Sequence, residues 1–269
     1  MKVTSVGLRA ALVGQLNESD LVYFELGANR TQLAGCDLVW MPGLTALSAA
    51  CVVQRVRPSS ILSDPPAWIR AFEAAVGTKG ARARVYLQEP LPHLEKALSV
   101  AGYRPRAEIG FLSRADRRPA SPTVRLCPIV TEAQWAVKAQ IHRESDAGPD
   151  GHTNSADLWI ELERTKCETG RMTPYLIEHA DSVCGTVATI DLDEILRLKN
   201  IVIRPRSRRR GFGLAAVYAL WQMAIDRRKT ALGVFALEDS AGEAMYSLAG
   251  LEAVSRQVEW LKYLNGGSK

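Results

Sequence analysis

The sequence predicts an α/β (α+β) fold of two similar domains, each a mixed, mostly antiparallel sheet flanked by helices. Three observations predict it. Val56-Arg57-Pro58 closes an apolar run in the first half and Ile203-Arg204-Pro205 closes one in the second, 147 residues later; Ala101-Gly102-Tyr103 follows a helical segment and Ala249-Gly250-Leu251 follows another, 148 residues later. Two landmarks in one order at nearly one offset point to a duplicated domain. In the second half the hydrophobic period shortens from helical to strand-like and back, the pattern of a sheet interleaved with helices. Between the halves, residues 114–122 combine charge, serine and the prolines Pro119 and Pro122, the composition of a linker. The boundary is set near 118, giving domains 1–117 and 118–269.

Taken in order, residues 1–20 receive no assignment, and Pro65 or Pro66 opens a helix in the first half, since a proline at the first helical position gives up only an N–H that would lack a partner anyway. A helical segment precedes Ala101-Gly102-Tyr103 in that half. In the second half, Trp135, Val137, Ala139 and Ile141 mark a helix over 134–144, and a clearer one covers 157–168. The acidic segment 144–152 between them is loop by its Gly and Pro content. Short strands follow over 174–178, 183–190 and 196–203, separated by polar turns, as an antiparallel meander. Gly211 opens a helix through Leu214, Val217, Leu220, Trp221 and Ile225 to about Arg228. A strand over 231–237, a helix over 241–248 and a strand over 258–263 complete the chain.

Composition narrows the classes of function. The chain has 269 residues, 47% hydrophobic and 23% charged, enough to bury a core without metal or disulfide support. No apolar run reaches the length of a membrane span and no leader pattern opens the sequence, so the expected location is cytoplasmic, with no membrane partner. The net charge is only +5, but four arginines fall within Arg206-Ser207-Arg208-Arg209-Arg210, which favours local anion binding. No interleaved aromatic platform accompanies them, so no nucleic-acid partner is expected. The five cysteines are odd in number and widely spaced, without a metal-ligand pattern; they read as buried hydrophobes or free thiols, and no metal is expected.

The stretch Ile201-Val202-Ile203-Arg204-Pro205-Arg206-Ser207-Arg208-Arg209-Arg210-Gly211-Phe212-Gly213-Leu214 is a strand, a basic turn bearing glycines, and a helix start. Glycines let a ligand approach the backbone, and the N–H groups of a first helical turn point toward an anion with the helix dipole behind them. Arginines add charge-assisted hydrogen bonds to phosphate oxygens. No Gly-Lys-Ser or Gly-Lys-Thr follows and the third glycine of a dinucleotide fingerprint is missing, so neither of those phosphate loops is present.

Arg208-x-x-Gly211-x-Gly213 after this strand resembles the acyl-CoA-binding motif of the GNAT superfamily of N-acyltransferases, over about residues 123–264. The resemblance implies an acyl-CoA co-substrate, acetyl-CoA or a longer acyl-CoA, with its pyrophosphate on the amides of Arg209, Arg210, Gly211, Phe212 and Gly213, beside Arg208 and Leu214. Ile201, Val202 and Ile203 would flank the pantetheine, and a backbone N–H near Val202 or Ile203 would polarise the thioester. Glu238 to Leu251 resembles the superfamily's last helix, with Tyr246 at the position of the tyrosine that protonates the departing thiolate. Two departures stand out: Asp239 falls where relatives often carry an asparagine, and Arg197-Leu198-Lys199-Asn200 holds no carboxylate where many relatives carry a basic glutamate. Candidates for the base are Asp191, Asp193, Glu194, Glu259, Asp146, Asp150 and His152. The acidic loop 144–152 lies where relatives bind the acceptor; Trp135 and Trp159 are core residues or an acceptor wall.

The first half lacks the same chemical groups. Ser59 to Pro66 contains no basic glycine turn, Asp64 near a helix opening would repel pyrophosphate, and Leu98 stands at the offset of Tyr246. The resemblance therefore implies a tandem arrangement with a degenerate first domain over about 20–113. The expected function is N-acyl transfer to a primary amine of a small molecule or peptide by direct attack in a ternary complex; the alternative is a non-catalytic acyl-CoA-binding or regulatory protein.

Overall fold

The computed structural model describes residues 5–57, 63–77, 82–113, 117–145 and 156–264. In chain order its elements are α1 (Ser5–Glu25), β1 (Asn29–Leu33), β2 (Cys36–Trp40), β3 (Cys51–Gln54), α2 (Pro65–Gly77), β4 (Arg82–Leu87), α3 (Pro92–Val100), β5 (Arg104–Leu112), β6 (Arg125–Pro128), α4 (Glu132–Ser145), α5 (Ala156–Glu168), β7 (Met172–His179), β8 (Ser182–Asp191), β9 (Ile195–Ile203), α6 (Phe212–Asp226), β10 (Ala231–Leu237), α7 (Ala241–Leu248) and β11 (Glu252–Tyr263). The mixed α/β class and the dominance of antiparallel pairing agree with the sequence. The strand over 231–237 and the helix over 241–248 coincide with β10 and α7; α4, α5 and the meander strands extend one or two residues beyond the ranges read from periodicity, as element ends commonly do. Residues 5–20, unassigned above, form most of α1.

The chain forms two compact units that do not divide at 117/118. The first comprises Met1–Asp20 and Ile109–Ser255; the second comprises Leu21–Glu108 and Arg256–Lys269. The reason lies in long-range strand pairing, which composition does not reveal. The second unit contains β1, β2 and β3 as an antiparallel meander, then β4 parallel to β3 with Val53 opposite Val85. Its last strand is the end of β11, antiparallel to β4 from Val258 opposite Leu87 to Tyr263 opposite Arg82. Phe72, Val76, Val85, Leu94, Leu98 and Trp260 are buried together in its core. Cross-strand burial of this kind contributes roughly 25 cal/mol per Å² of apolar surface, so residues 258–263 are structural members of this unit.

The first unit repeats the same order. β6 to β9 form an antiparallel meander, and β10 lies parallel to β9 after the crossover through α6. β5 runs beside β10, with Ser113 N donating to Leu232 O at 2.8 Å. Its core gathers Phe111, Val187, Leu196, Val217, Leu220, Trp221, Leu232 and Tyr246. A second cluster, with Trp135, Ile141, Ile160 and Leu176, joins α4 and α5 to β7. No described helix is long and apolar enough to cross a membrane.

Candidate active site

β9 and β10 pair only at their starts, with Ala231, Leu232 and Gly233 opposite Ile195, Leu196 and Arg197. Both strands then continue without pairing to each other, so residues 198–203 and 234–237 share no strand-to-strand register. A bulge accompanies the divergence. Thr186 of β8 faces Val202 and Ala188 faces Lys199, so Asn200 and Ile201 together oppose Val187 alone. Asn200 takes the left-handed conformation, φ 54°, and its Nδ2 donates to Glu163 Oε1 at 2.6 Å. The added residue turns the end of β9, and with it Ile201, Val202 and Ile203, out of the regular ladder.

The turn after β9 ends in an unusual helix start. Ser207 N and Arg208 N are used within a short 3-10 turn over Pro205–Ser207, whereas the first helical bond of α6 is Ala215 N to Gly211 O. Gly211, the N-cap, sits at φ 78° and offers no capping side chain. The N–H groups of Phe212, Gly213 and Leu214 therefore have no hydrogen-bond partner among the described residues. Gly213 also serves helix packing, because a Cβ there would lie 2.8 Å from Met245 Sδ and its absence lets the start of α6 approach the middle of α7.

The arginines divide into two kinds. Arg208 is a staple, since Nε donates to Ile203 O at 3.1 Å and Nη2 to Ser145 O at 3.3 Å. It ties the turn to the end of α4 while keeping its charge beside the open N–H groups. Arg210 stacks over Phe212 at 5.2 Å, and Arg206 and Arg209 are exposed with no ion-pair partner among the described residues.

At the start of α7 Ser240 Oγ accepts from Glu243 N at 3.2 Å, the N-cap bond of a capping box, while Glu243 Oε2 accepts at 2.6 Å from the N–H of Asp239, the residue before the cap. Asp239 is exposed at φ 59° and shapes this turn. Tyr246 is 4% exposed and packs at a tilt on Phe111 with ring centroids 6.0 Å apart. Burial pushes its phenol above the ordinary range, and the Arg197 guanidinium partly opposes that rise. Arg197 is the last β9 residue paired to β10, and so stands at the vertex of the divergence. It is fully buried, donates from Nε to Ser19 Oγ at 3.0 Å, from Nη2 to Asp20 Oδ1 at 3.0 Å and from Nη1 to Leu198 O, and lies 5.0 Å from the Phe235 ring. Lys199 also donates to Asp20 Oδ1, at 2.8 Å. Asp20 of α1 is thus paired with two cations of β9.

The proposed bases fare differently. Asp191 pairs with Lys229 at 2.5 Å and Arg227 at 3.2 Å. Glu194 accepts from Thr230 Oγ1 at the surface, and Asp193 is exposed. Glu259 belongs to the other unit, fully buried between Arg84 and Arg106. A count of charges cannot reveal such pairing. Asp146, Asp150 and His152 lie outside the described residues. Trp135 and Trp159 are both buried, the first beneath the Arg164 guanidinium at 4.9 Å. Among the described residues no group of three or more His, Cys, Asp or Glu side chains could hold a metal ion.

Periodicity missed the polar seam of α4 and α5. Lys138 and Glu163 form a fully buried ion pair at 2.7 Å, and Lys138 Nζ also donates to Thr186 Oγ1 at 2.9 Å. Burial opposes the charge on Glu163, yet Lys138 and its other neighbours hold its pKa below the ordinary value. Burial pulls Lys166 down to about 7, aided by Lys199.

No family model matches the chain and no curated protein matches its sequence. Solved structures do. The fold is similar to a GCN5-related N-acetyltransferase from Kribbella flavida (TM-score 0.65, 15% identity, 94% of this chain and 95% of that one) and to another from Sphaerobacter thermophilus (0.65, 14%, 87% and 78%). It is also similar to a tandem GNAT protein from the clavulanic acid biosynthesis pathway (0.54, 14%, 87% and 79%). These likenesses establish architecture: the chain has the GNAT superfamily fold.

Proposed function

We propose that the chain is an N-acyltransferase moving an acetyl or longer acyl group from acyl-CoA to a primary amine. One observation carries this reading: an uncapped, arginine-flanked helix start lies directly after the strand that diverges from its parallel neighbour. The open N–H groups of Phe212, Gly213 and Leu214 would hold the pyrophosphate, with Arg206, Arg208 and Arg209 supplying positive charge. The open edge of β9 near Ile201–Ile203 would accept the amide-bearing arm, and a backbone N–H near Val202 would stabilise the oxyanion developing on the thioester carbonyl.

In the reaction a nitrogen–carbonyl bond forms, the carbonyl–sulfur bond breaks, the amine nitrogen loses a proton and the departing sulfur gains one. Tyr246 would donate the proton to sulfur, and Arg197 would ease the negative charge on the phenol oxygen that remains. Alignment of the deprotonated amine supplies much of the rate, so a strong base on β9 is dispensable. A second reading, acyl-CoA binding without turnover, draws support from the lack of a free carboxylate on β9.

Calorimetric titration with acetyl-CoA, a medium-chain acyl-CoA and free CoA tests the donor site. One-to-one binding that Gly211→Asp abolishes is expected, and its absence for all three ligands overturns the acyl-CoA reading. Tyr246→Phe separates the two readings: lost turnover with retained CoA affinity requires catalysis.

A further inference from the structure

Arg117 and Arg118 belong to the segment whose composition reads as a linker, yet in the structure they line a cavity of about 330 Å³ together with the C-terminal end of α6. Trp221, Ile225 and Leu232 give it an apolar lining, and Arg228 and Lys229 bring further positive charge. It lies where β9 and β10 pair, with Leu232 opposite Leu196, at the end away from their divergence. α6 spans 15 residues, so the cavity stands about 20 Å from the uncapped start of that helix.

The cations at the end of α6 divide by what they hold. Arg227 donates to Asp191 Oδ2 at 3.2 Å and to Tyr175 OH at 2.9 Å, and Lys229 donates to Leu192 O and pairs with Asp191 at 2.5 Å. These two fasten the helix end to the turn before β9. Arg228 sits at φ 57°, the left-handed position after a helix that glycine ordinarily fills. The backbone closes the helix without its side chain: Arg227 N donates to Met223 O at 3.0 Å, Arg228 N to Ile225 O at 2.9 Å and Lys229 N to Ala224 O at 2.8 Å. The guanidiniums of Arg228, Arg117 and Arg118 have no ion-pair partner among the described residues. Gly250, at φ 85°, makes room for Arg117, whose Nη1 would lie 3.3 Å from a Cβ there. Ser113 also lines the cavity; it is 8% exposed and its Oγ accepts from Leu232 N at 2.8 Å, which leaves its O–H as a donor. On the neighbouring turn the Glu194 carboxylate accepts from Thr230 Oγ1.

We propose that this cavity is a second anion site, which takes a small dianion, a phosphate monoester or a dicarboxylate, joined to a compact apolar body. Cations gathered from two chain segments repel one another, and a doubly charged ligand among them turns that repulsion into attraction. Guanidinium forks match phosphate and carboxylate oxygens in pairs, and the Ser113 O–H adds a neutral donor beside them. The apolar lining of Trp221, Ile225 and Leu232 selects for a ligand with more than its charged group, and the volume suits a small one. A helix C-terminus alone disfavours anions, but its dipole amounts to about half a charge, against the full charges of Arg117, Arg118 and Arg228. The site requires neither acyl-CoA nor turnover, so it stands apart from the acyl-transfer reading.

Calorimetry of the full chain with phenyl phosphate, phthalate, inorganic phosphate and benzyl alcohol tests the proposal. At least one of the two aromatic dianions should bind saturably with a Kd of about 100 µM or tighter. Inorganic phosphate should bind about 10-fold more weakly for want of an apolar body, and benzyl alcohol should not bind. Tighter binding of phenyl phosphate identifies a phosphate monoester as the ligand class, and tighter binding of phthalate a dicarboxylate. Arg228→Gly puts the ordinary residue at the helix end, so it should melt no lower than wild type while weakening the favoured dianion about 10-fold. Arg117→Ala with Arg118→Ala should weaken it about 100-fold. Gly211→Asp, at the other end of α6, should leave this binding within about twofold. Binding of neither dianion overturns the proposal, as does equal binding of benzyl alcohol or unaltered affinity in both arginine variants. Loss of binding in Gly211→Asp overturns it too, since the anion would then belong to the helix start. Dianion binding by a chain that does not bind acyl-CoA overturns the acyl-transfer reading alone and supports this site.

Discussion

In the second unit the helix after β3 begins with its own anion. Pro65 and Pro66 have no N–H to offer, Asp64 Oδ1 accepts from Ala67 N at 3.0 Å, and Trp68 N donates to Asp64 O at 3.1 Å, so all four initial positions of α2 are closed. In the first unit the helix after β9 begins with Gly211, and nothing within the described chain caps Phe212, Gly213 or Leu214. The two connections occupy the same place in the element order, strand to helix to parallel strand. Helix formation alone therefore does not require an open terminus; α2 shows how such a terminus is closed by the chain itself. The same contrast recurs one helix later, where Leu98 is fully buried in an apolar core and Tyr246 brings a hydroxyl to the corresponding offset.

The largest expected effect comes from making the first unit resemble the second. Gly211→Asp sets a carboxylate at the open terminus and forces a side chain into a left-handed conformation; acyl-CoA affinity should fall by at least about 300-fold in calorimetry. Retained affinity would mean that the terminus is not the anion site. Tyr246→Phe, the smallest step toward Leu98, should lower turnover by about 100-fold while CoA affinity stays within about twofold.

Acid should separate the units next. Burial holds the folded pKa of His142 below the ordinary value, so the unfolded chain binds the proton more readily, and this contribution to stability is present above pH 6.5 and lost as pH falls toward 4. Hydrogen exchange of α4 and α5 should accelerate over that window by the equivalent of about 1–2 kcal/mol. In His142→Gln the acceleration should be absent. The smallest effect is Asp64→Ala, which removes a cap at a cost of about 1 kcal/mol, read as a lower denaturation midpoint, with acyl-CoA binding untouched.

Much of the first unit was readable from sequence because its strands alternate and its turns are rich in Asp, Gly and Pro; β10 and α7 came out at their observed ends. The helix α1 did not, for a physical reason. Its buried face runs through Leu16 into Ser19 and Asp20, polar residues whose burial makes sense only beside Arg197 and Lys199. Apolar periodicity is blind to such a face. Glu259 failed as a base for the converse reason: two arginines from distant positions enclose it. The basic glycine turn was readable because its conformation resides in local sequence, while the unsatisfied atoms of His142 and Trp159 exist only once two helices have been brought together.

The assignment of residues 258–263 to the second unit has a consequence for how the polypeptide matures on the ribosome. β4 emerges early, yet its antiparallel neighbour is encoded about 170 residues later. During translation that edge of β4 stays unpaired, a nascent surface open to chaperones or to mispairing, while the residues between the two strands fold. Neither half can be released as an independent fragment by cutting at the proline-bearing segment, because the strand that finishes the earlier half is encoded in the later one.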